Sequence, residues 1–271
     1  MRKTINKLFL IITVISALLL TTGCDLFIKT NKGQVDQKWY MGLTYEDDNG
    51  NDTDYTIGTD GTIAAVALED GYGDEFGIIK GEEAYLNINT IIKNIDKRFY
   101  VDATNNLVMF TDATKTYKTK IGGKTINETE NTDYVISFMD GKNCYVNVKF
   151  VKKYVDFDYK VVKAEGKSPA RIVLKYTSGE KNQMTVKSNI EMRTKADYQN
   201  LIVTTLKKNT KVTVLEESGD WTKVGTDDGF MGYVPAKKLK DKETKKTEFK
   251  SDADTYTHVL MNKKISLGWN A

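Results

Sequence analysis

Two cysteines and a single histidine are the side chains of this sequence best suited to nucleophilic chemistry. A catalytic cysteine needs a nearby base, most often an imidazole, to generate its thiolate. The histidine, His258, lies far beyond Cys144 in a polar, charged stretch, and no pattern brings the two together. We therefore predict no catalytic residue, and we interpret Cys144 as a small hydrophobic side chain in a core.

The most acidic stretch of the chain is a candidate for binding calcium. Residues 46–54 read Glu-Asp-Asp-Asn-Gly-Asn-Asp-Thr-Asp. Oxygen ligands at alternate positions could hold Ca²⁺, but neither the order nor the last residue matches an EF-hand loop. A cluster of Asp, Asn and Gly is also typical of a turn between two strands. We favour a solvated hairpin loop and predict no metal site and no cofactor.

The first 23 residues have the pattern of an export signal. Arg2, Lys3 and Lys7 precede an apolar run, residues 8–20, that is too short to span a bilayer. The following Leu-Thr-Thr-Gly-Cys resembles the lipobox of bacterial lipoproteins, which implies that Cys24 becomes a diacylated N-terminus at the extracellular face of the cell membrane. Two acyl chains anchor a protein stably. The alternative is a plain secreted protein in which Cys24 has no such role.

Charge and composition exclude several classes of function. The chain has 271 residues, with 40 basic and 37 acidic side chains, and is too apolar and too balanced to be disordered. Only four of the basic residues are Arg and no basic stripe occurs, which argues against a nucleic-acid partner. After removal of residues 1–23 the net charge is zero. Residues 25–75 are acidic and residues 76–271 basic, so we expect the basic part to lie outward from the anchor.

A pattern that occurs twice organises the middle of the chain. In residues 80–95 and again in 141–155, a Gly-containing turn leads to a short strand, then to an Asn suited to cap a helix, then to apolar residues at helical spacing. The capping residues are Asn87 and Asn147, and Cys144 corresponds to Ala84. Strand patterning follows each copy, so we predict an α+β repeat domain, residues 57–176, made of two strand-helix-hairpin units.

These paired units resemble the domain named after the N-terminal region of copper amine oxidases, which occurs in secreted bacterial envelope proteins. The resemblance implies no copper here, because a copper site needs several imidazole or thiolate ligands and this chain offers one His and one core-type Cys.

Residues 184–239 read as five or six short strands separated by turns, the pattern of a small all-β barrel. Motif blocks in this region occur in the order Met192-Arg193, residues 206–212, residues 219–224 and residues 228–234. They resemble bacterial SH3-like domains. The resemblance implies a non-catalytic module that recognises cell-wall peptides or glycans. Trp221, Tyr233 and Tyr198 are our candidates for its ligand-facing surface, although Trp in so small a domain often belongs to the core.

The C-terminal part is predicted to be a charged linker, residues 240–258, followed by an apolar strand, residues 259–271. That strand resembles the first barrel strand of family-18 glycoside hydrolases, but too few residues follow for a barrel and the family's acidic motif has no match. The leading hypothesis is a non-catalytic, lipid-anchored surface protein that binds peptidoglycan or an associated anionic polymer. The alternative is the N-terminal targeting portion of a truncated glycoside hydrolase acting on envelope polysaccharide. A third possibility is a scaffold whose repeat pairs with another protein.

Overall fold

The structure is a computed structural model that describes residues 30–176 and 179–247. The predicted signal segment, Cys24, His258 and the apolar strand at 259–271 lie outside the described residues. Among the described residues, no helix is both long enough and apolar enough to cross a membrane.

Strands dominate the described chain, and its helices contain one or two turns. The strands are β1 (Thr44–Glu46), β2 (Asp52–Asp54), β3 (Thr62–Ala67), β4 (Gly77–Lys80), β5 (Glu83–Asn87), β6 (Phe99–Asp102), β7 (Leu107–Thr111), β8 (Thr116–Lys120), β9 (Thr125–Ile126), β10 (Glu130–Asn131), β11 (Ser137–Asp140), β12 (Asn143–Asn147), β13 (Phe157–Val162), β14 (Ala170–Tyr176), β15 (Gly179–Val186), β16 (Ile190–Arg193), β17 (Ile202–Leu206), β18 (Lys211–Ser218), β19 (Trp221–Gly225), β20 (Met231–Pro235) and β21 (Leu239–Thr247). The helices are α1 (Gln37–Tyr40), α2 (Ile88–Thr90), which continues as a π-helix (Ile91–Ile95), α3 (Val148–Lys152) and a 3₁₀ turn (Ala236–Lys238).

The predicted α+β repeat domain is wrong as a fold class, because the region is mostly β. Asn87 and Asn147 do cap helices as expected, since their side-chain oxygens accept hydrogen bonds from the backbone N–H groups of Asn89 at 2.9 Å and Lys149 at 2.8 Å. However, the helices that follow are too short to form a layer. The three-stranded sheet β6-β7-β8 contributes much of the cover over the core instead, through Phe99, Val108 and Phe110 among others.

The first large sheet has seven strands in the order β11-β12-β5-β4-β3-β14-β13. Strands β5 and β12, which come from the two copies of the sequence pattern, are antiparallel neighbours. Alternation along β5 directs Ala84 and Leu86 into one core and Tyr85 into a second core on the opposite face. Both faces of this sheet are therefore covered.

The second large sheet has the order β17-β16-β20-β19-β18-β15-β21. Each of its seven strands contributes a side chain to one hydrophobic cluster, so the sheet wraps around a common core as a small barrel does. This confirms the predicted barrel architecture. Below, these seven strands are called the barrel.

Strand β21 corrects the predicted charged linker. Residues 240–247 are not a spacer, because they pair with β15 along its whole length. Two lysines of this strand form ion pairs with carboxylates of the same sheet, namely Lys242 with Glu217 and Lys246 with Glu180. An edge strand is held by backbone hydrogen bonds and does not require apolar side chains on its exposed side. The charged composition of residues 240–247 is therefore compatible with a strand as well as with a linker.

The turn before β20 fastens the barrel to the first sheet. Arg171 of β14 is buried, and its guanidinium donates to the carbonyl oxygens of Asp228 at 2.6 Å and Pro169 at 2.8 Å. Its Cζ atom lies 4.3 Å from the centre of the Phe230 ring. The Tyr72 hydroxyl donates to the Gly229 carbonyl oxygen at 3.0 Å. The two sheets are therefore joined by specific contacts within the described residues.

Replacing Gly229 with Ala should loosen this junction. Gly229 has a φ of +86°, and a Cβ atom there would lie 2.8 Å from Val173 Cγ2 and 3.2 Å from Ala67 Cβ. Gly219 also has a positive φ, +57°, but a Cβ there would meet nothing within 4 Å. Both Ala variants incur the backbone cost of about 1 kcal/mol, and Gly229→Ala adds a steric cost of about 1–3 kcal/mol. Urea unfolding of the two variants measures the difference, and equal losses would contradict the packing described.

Candidate functional site

The first described residues lie on the barrel. We call residues 30–36 the strap. The strap runs parallel to the edge strand β17: the backbone N–H of Val35 donates to the carbonyl of Ile202, and the N–H of Ile202 donates to the carbonyl of Gly33, both at 2.9 Å. This pairing covers an otherwise open sheet edge. Residues 30–36 therefore pack on the barrel within the described chain.

A buried arginine joins the strap to the barrel. Arg193 is only 1% exposed. Its guanidinium donates to the carbonyl oxygens of Asn31 at 2.9 Å and Asn200 at 2.7 Å and forms an ion pair with Glu191. Burying a charge is costly unless its donors are satisfied. Each of these partners is therefore required to keep Arg193 in place.

Two of the three predicted aromatic residues meet beside this arginine. The rings of Tyr198 and Trp221 lie edge to face, with centroids 4.9 Å apart. Trp221 points outward because Thr222 and Val224, at alternate positions of β19, are buried. The Cζ atom of Arg193 lies 5.8 Å from the centre of the Tyr198 ring. Both aromatic rings are half-buried, and the Tyr198 ring lies next to the Arg193 guanidinium.

The third candidate, Tyr233, lies on the same outer face. Of the three candidates, Tyr198 lines the cleft described next, and Trp221 and Tyr233 do not. Strand pairing places it opposite Lys223 and Arg193. Burial raises the pKa of Tyr40, in α1, to about 12, with a smaller contribution from Tyr233. The three candidates therefore form a pair and one neighbour rather than a single platform.

A cleft of about 440 Å³ opens next to the Tyr198 ring. Its lining combines apolar, hydroxyl, amide and charged groups: Thr30, Asn189, Ile190, Glu191, Arg193, Tyr198, Thr205, Pro235 and Lys238.

Sequence reasoning missed Glu191, Arg193 and the strap. A usable signal was present, because Arg is rare in this chain and Arg193 sits in a strand directly after the buried Met192. An Arg at such a position needs several acceptors, which implies that another segment covers it.

The other residues considered for chemistry, Cys144 and the acidic stretch 46–54, have structural roles away from the barrel. Cys144 is a free, buried thiol whose pKa is raised by burial to about 12, and it packs in the same core as Ala84, as predicted.

The acidic stretch forms the hairpin β1–β2, in which the Asp47 carboxylate accepts hydrogen bonds from the backbone N–H groups of Asn49 and Asn51. These hydrogen bonds lower the pKa of Asp47. Within residues 30–176 and 179–247, no group of three or more His, Cys, Asp or Glu could hold a metal ion.

Comparison with known proteins agrees with the barrel. Residues 188–240 match the family model described as Bacterial SH3 domain. No curated protein and no solved structure matches the chain. The chain therefore contains a bacterial SH3 domain, which confirms that part of the sequence interpretation. The resemblances to the copper amine oxidase region and to family-18 glycoside hydrolases receive no support from these comparisons.

Arg193→Met should release the strap and destabilise the chain by about 3 kcal/mol, because it leaves Glu191 and two buried carbonyl groups without their donor. The control is Lys32→Ala, which removes a 3.1 Å pair to the same Glu191 from a side chain that is 72% exposed. We expect that loss to stay below about 0.5 kcal/mol. Urea unfolding provides both values, and similar small losses in the two variants would refute the role given to Arg193.

Proposed function

We propose that this chain is a non-catalytic surface protein, lipid-anchored through Cys24, and that the cleft beside Tyr198 and Trp221 binds a cell-wall peptide or glycan. The observation that carries the proposal is the contact between the rings of Trp221 and Tyr198, of which Tyr198 lines a cleft on a bacterial SH3 domain.

The cleft has the size and chemistry of a site for a short peptide or oligosaccharide. Its volume of about 440 Å³ lies within the usual range of roughly 300–1,000 Å³ for small-ligand sites. Aromatic rings provide a large contact area at a low entropic cost. Glu191 and Lys238 supply one charge of each sign, and Asn189 and Thr205 supply hydrogen-bonding groups. This combination suits a ligand that has both apolar faces and polar or zwitterionic groups.

Hydrogen bonds already connect the segments next to the cleft in the absence of a ligand. Arg193 joins the strap to the loop that carries Tyr198 through the carbonyl oxygens of Asn31 and Asn200. The Asn31 side chain adds a hydrogen bond to the Gln199 carbonyl at 3.0 Å. A preorganised site loses little conformational entropy on binding, which favours affinity.

Two further observations support a binding role rather than a catalytic one. Burial keeps the Cys144 thiol protonated near neutral pH, and a protonated thiol is a poor nucleophile. The cleft presents one carboxylate, that of Glu191, and this group is already engaged with Arg193 and Lys32. A glycosidase site would need a second carboxylate at a defined distance.

Tyr198→Ala and Trp221→Ala should each weaken binding to isolated cell wall at least about tenfold, in line with the effect of removing a central aromatic side chain from an interface. The matched control is Tyr100→Ala, a tyrosine that is 40% exposed on β6, away from the barrel. Co-sedimentation with wall gives the affinity, and thermal unfolding shows that each variant is folded. Competition with soluble wall peptides and with glycan strands then identifies the ligand class. Wall binding that is unaffected in folded Tyr198→Ala would refute the proposal.

Cys24→Ser should abolish the anchor. In bacterial cells fed a radiolabelled fatty acid, we expect label in the parent chain and none in the variant, because the thioether-linked diacylglycerol requires the Cys24 sulfur. The variant should also leave the membrane fraction. Label that persists in Cys24→Ser, or an unlabelled parent chain, would indicate a secreted protein without this anchor.

A further inference from the structure

Three loops at one end of the barrel carry five lysines and no acidic residue. The loops are residues 187–189, 207–210 and 236–238. We define the lysine face by the five lysines that they contribute, namely Lys187, Lys207, Lys208, Lys237 and Lys238.

Hydrogen bonds hold these loops together as one surface. The backbone N–H of Lys187 donates to the Lys238 carbonyl at 2.9 Å, and its ammonium donates to the Lys237 carbonyl at 2.8 Å. The N–H of Lys208 donates to the Asn189 side-chain oxygen at 2.8 Å. These hydrogen bonds of the fold keep the loops, and the lysines that they carry, close together.

The charge of the lysine face is poorly compensated compared with that of the rest of the barrel. Among the described residues, no carboxylate pairs with Lys187, Lys207, Lys208 or Lys238 within 4.0 Å. Lysines elsewhere on the same sheet do have such partners, for example Lys242 with Glu217, Lys246 with Glu180 and Lys211 with Glu243.

Few acidic groups border the face. Glu191 is engaged by Arg193 and Lys32. Asp220 belongs to the adjoining turn, where its carbonyl accepts the N–H of Ala236. The lysine face therefore presents a net positive surface to its surroundings.

The start of the described chain lies beside this face. Thr30 lines the cleft together with Asn189 and Lys238, which belong to two of the three loops. Only five residues lie between Cys24 and Thr30, so the two Cα atoms are six residue steps apart. Since an extended chain spans at most about 3.5 Å per residue, the acylated Cys24 of the proposed function can lie no more than about 20 Å from this rim.

We propose that the lysine face docks on anionic phospholipid headgroups of the membrane that holds the anchor. This inference rests on the proposed lipid anchorage, which places the face at the bilayer. Basic side chains near an anionic leaflet are attracted within about one Debye length. Docking would orient the barrel so that the cleft opens next to the bilayer. The protein would then meet its wall ligand at the membrane surface and not deep within the wall.

The test uses residues 25–271, which lack Cys24 and therefore the lipid, and vesicles of phosphatidylcholine alone or mixed equally with phosphatidylglycerol. The Lys187→Glu, Lys207→Glu, Lys208→Glu triple variant removes charge from the face without touching a cleft residue. The control triple variant, Lys97→Glu, Lys124→Glu, Lys142→Glu, changes exposed lysines away from the barrel by the same net charge.

The parent should sediment with the anionic vesicles and not with the neutral ones. We expect the face variant to lose at least about tenfold in partitioning, the control less than about threefold, and added salt to release the parent. Equal losses in the two triple variants would overturn the proposal. So would a parent that binds phosphate-rich wall polymers but not vesicles.

The outcomes of the two proposals can be told apart. Tyr198→Ala should lose wall binding and keep vesicle binding, whereas the face variant should do the reverse. Loss of both activities in a face variant whose thermal unfolding matches the parent would show a single shared surface and contradict the separation proposed.

Discussion

The burial of the Arg193 guanidinium is the constraint on which the candidate site depends. A buried guanidinium with unpaired donors would be strongly unfavourable, so three separate parts of the chain must converge on it. They are the strap through Asn31, the loop before β17 through Asn200, and β16 itself through Glu191. The loop that Arg193 fixes is the one that carries Tyr198, and the same contact brings Thr30 to the cleft. The position of the loop that carries Tyr198 and that of the strap therefore depend on one interaction.

A second buried arginine fixes the barrel to the first sheet in a comparable way. Arg171 contacts the turn before β20 by hydrogen bonds and by stacking on Phe230, and burial lowers its pKa without removing its charge at neutral pH. Two of the four arginines in the chain thus act at junctions between segments that are distant in sequence. The planar guanidinium can satisfy several carbonyl groups at once, whereas a lysine in either place would leave some of them unpaired.

Sequence patterns predicted features that depend on neighbouring residues. The barrel strands, the capping roles of Asn87 and Asn147 and the core position of Cys144 all follow from local alternation, capping or a small side chain, and the structure contains them. The α+β fold class predicted for residues 57–176 was wrong. Apolar residues at three- and four-residue spacing over a short span do not show whether the helix has one turn or several. The strap and β21 were missed because their pairing uses backbone groups, which leave no side-chain signature.

The structure also changes what counts as the binding module. The family match covers residues 188–240, yet this span lacks Thr30, which lines the cleft, and Asn31, whose carbonyl oxygen accepts from Arg193. It also lacks β15, which pairs with both β18 and β21 and closes the barrel core through Val186. An excised domain with the predicted boundaries would expose the edge of β17 and leave a buried charge short of acceptors. The unit that can present this cleft therefore includes the strap.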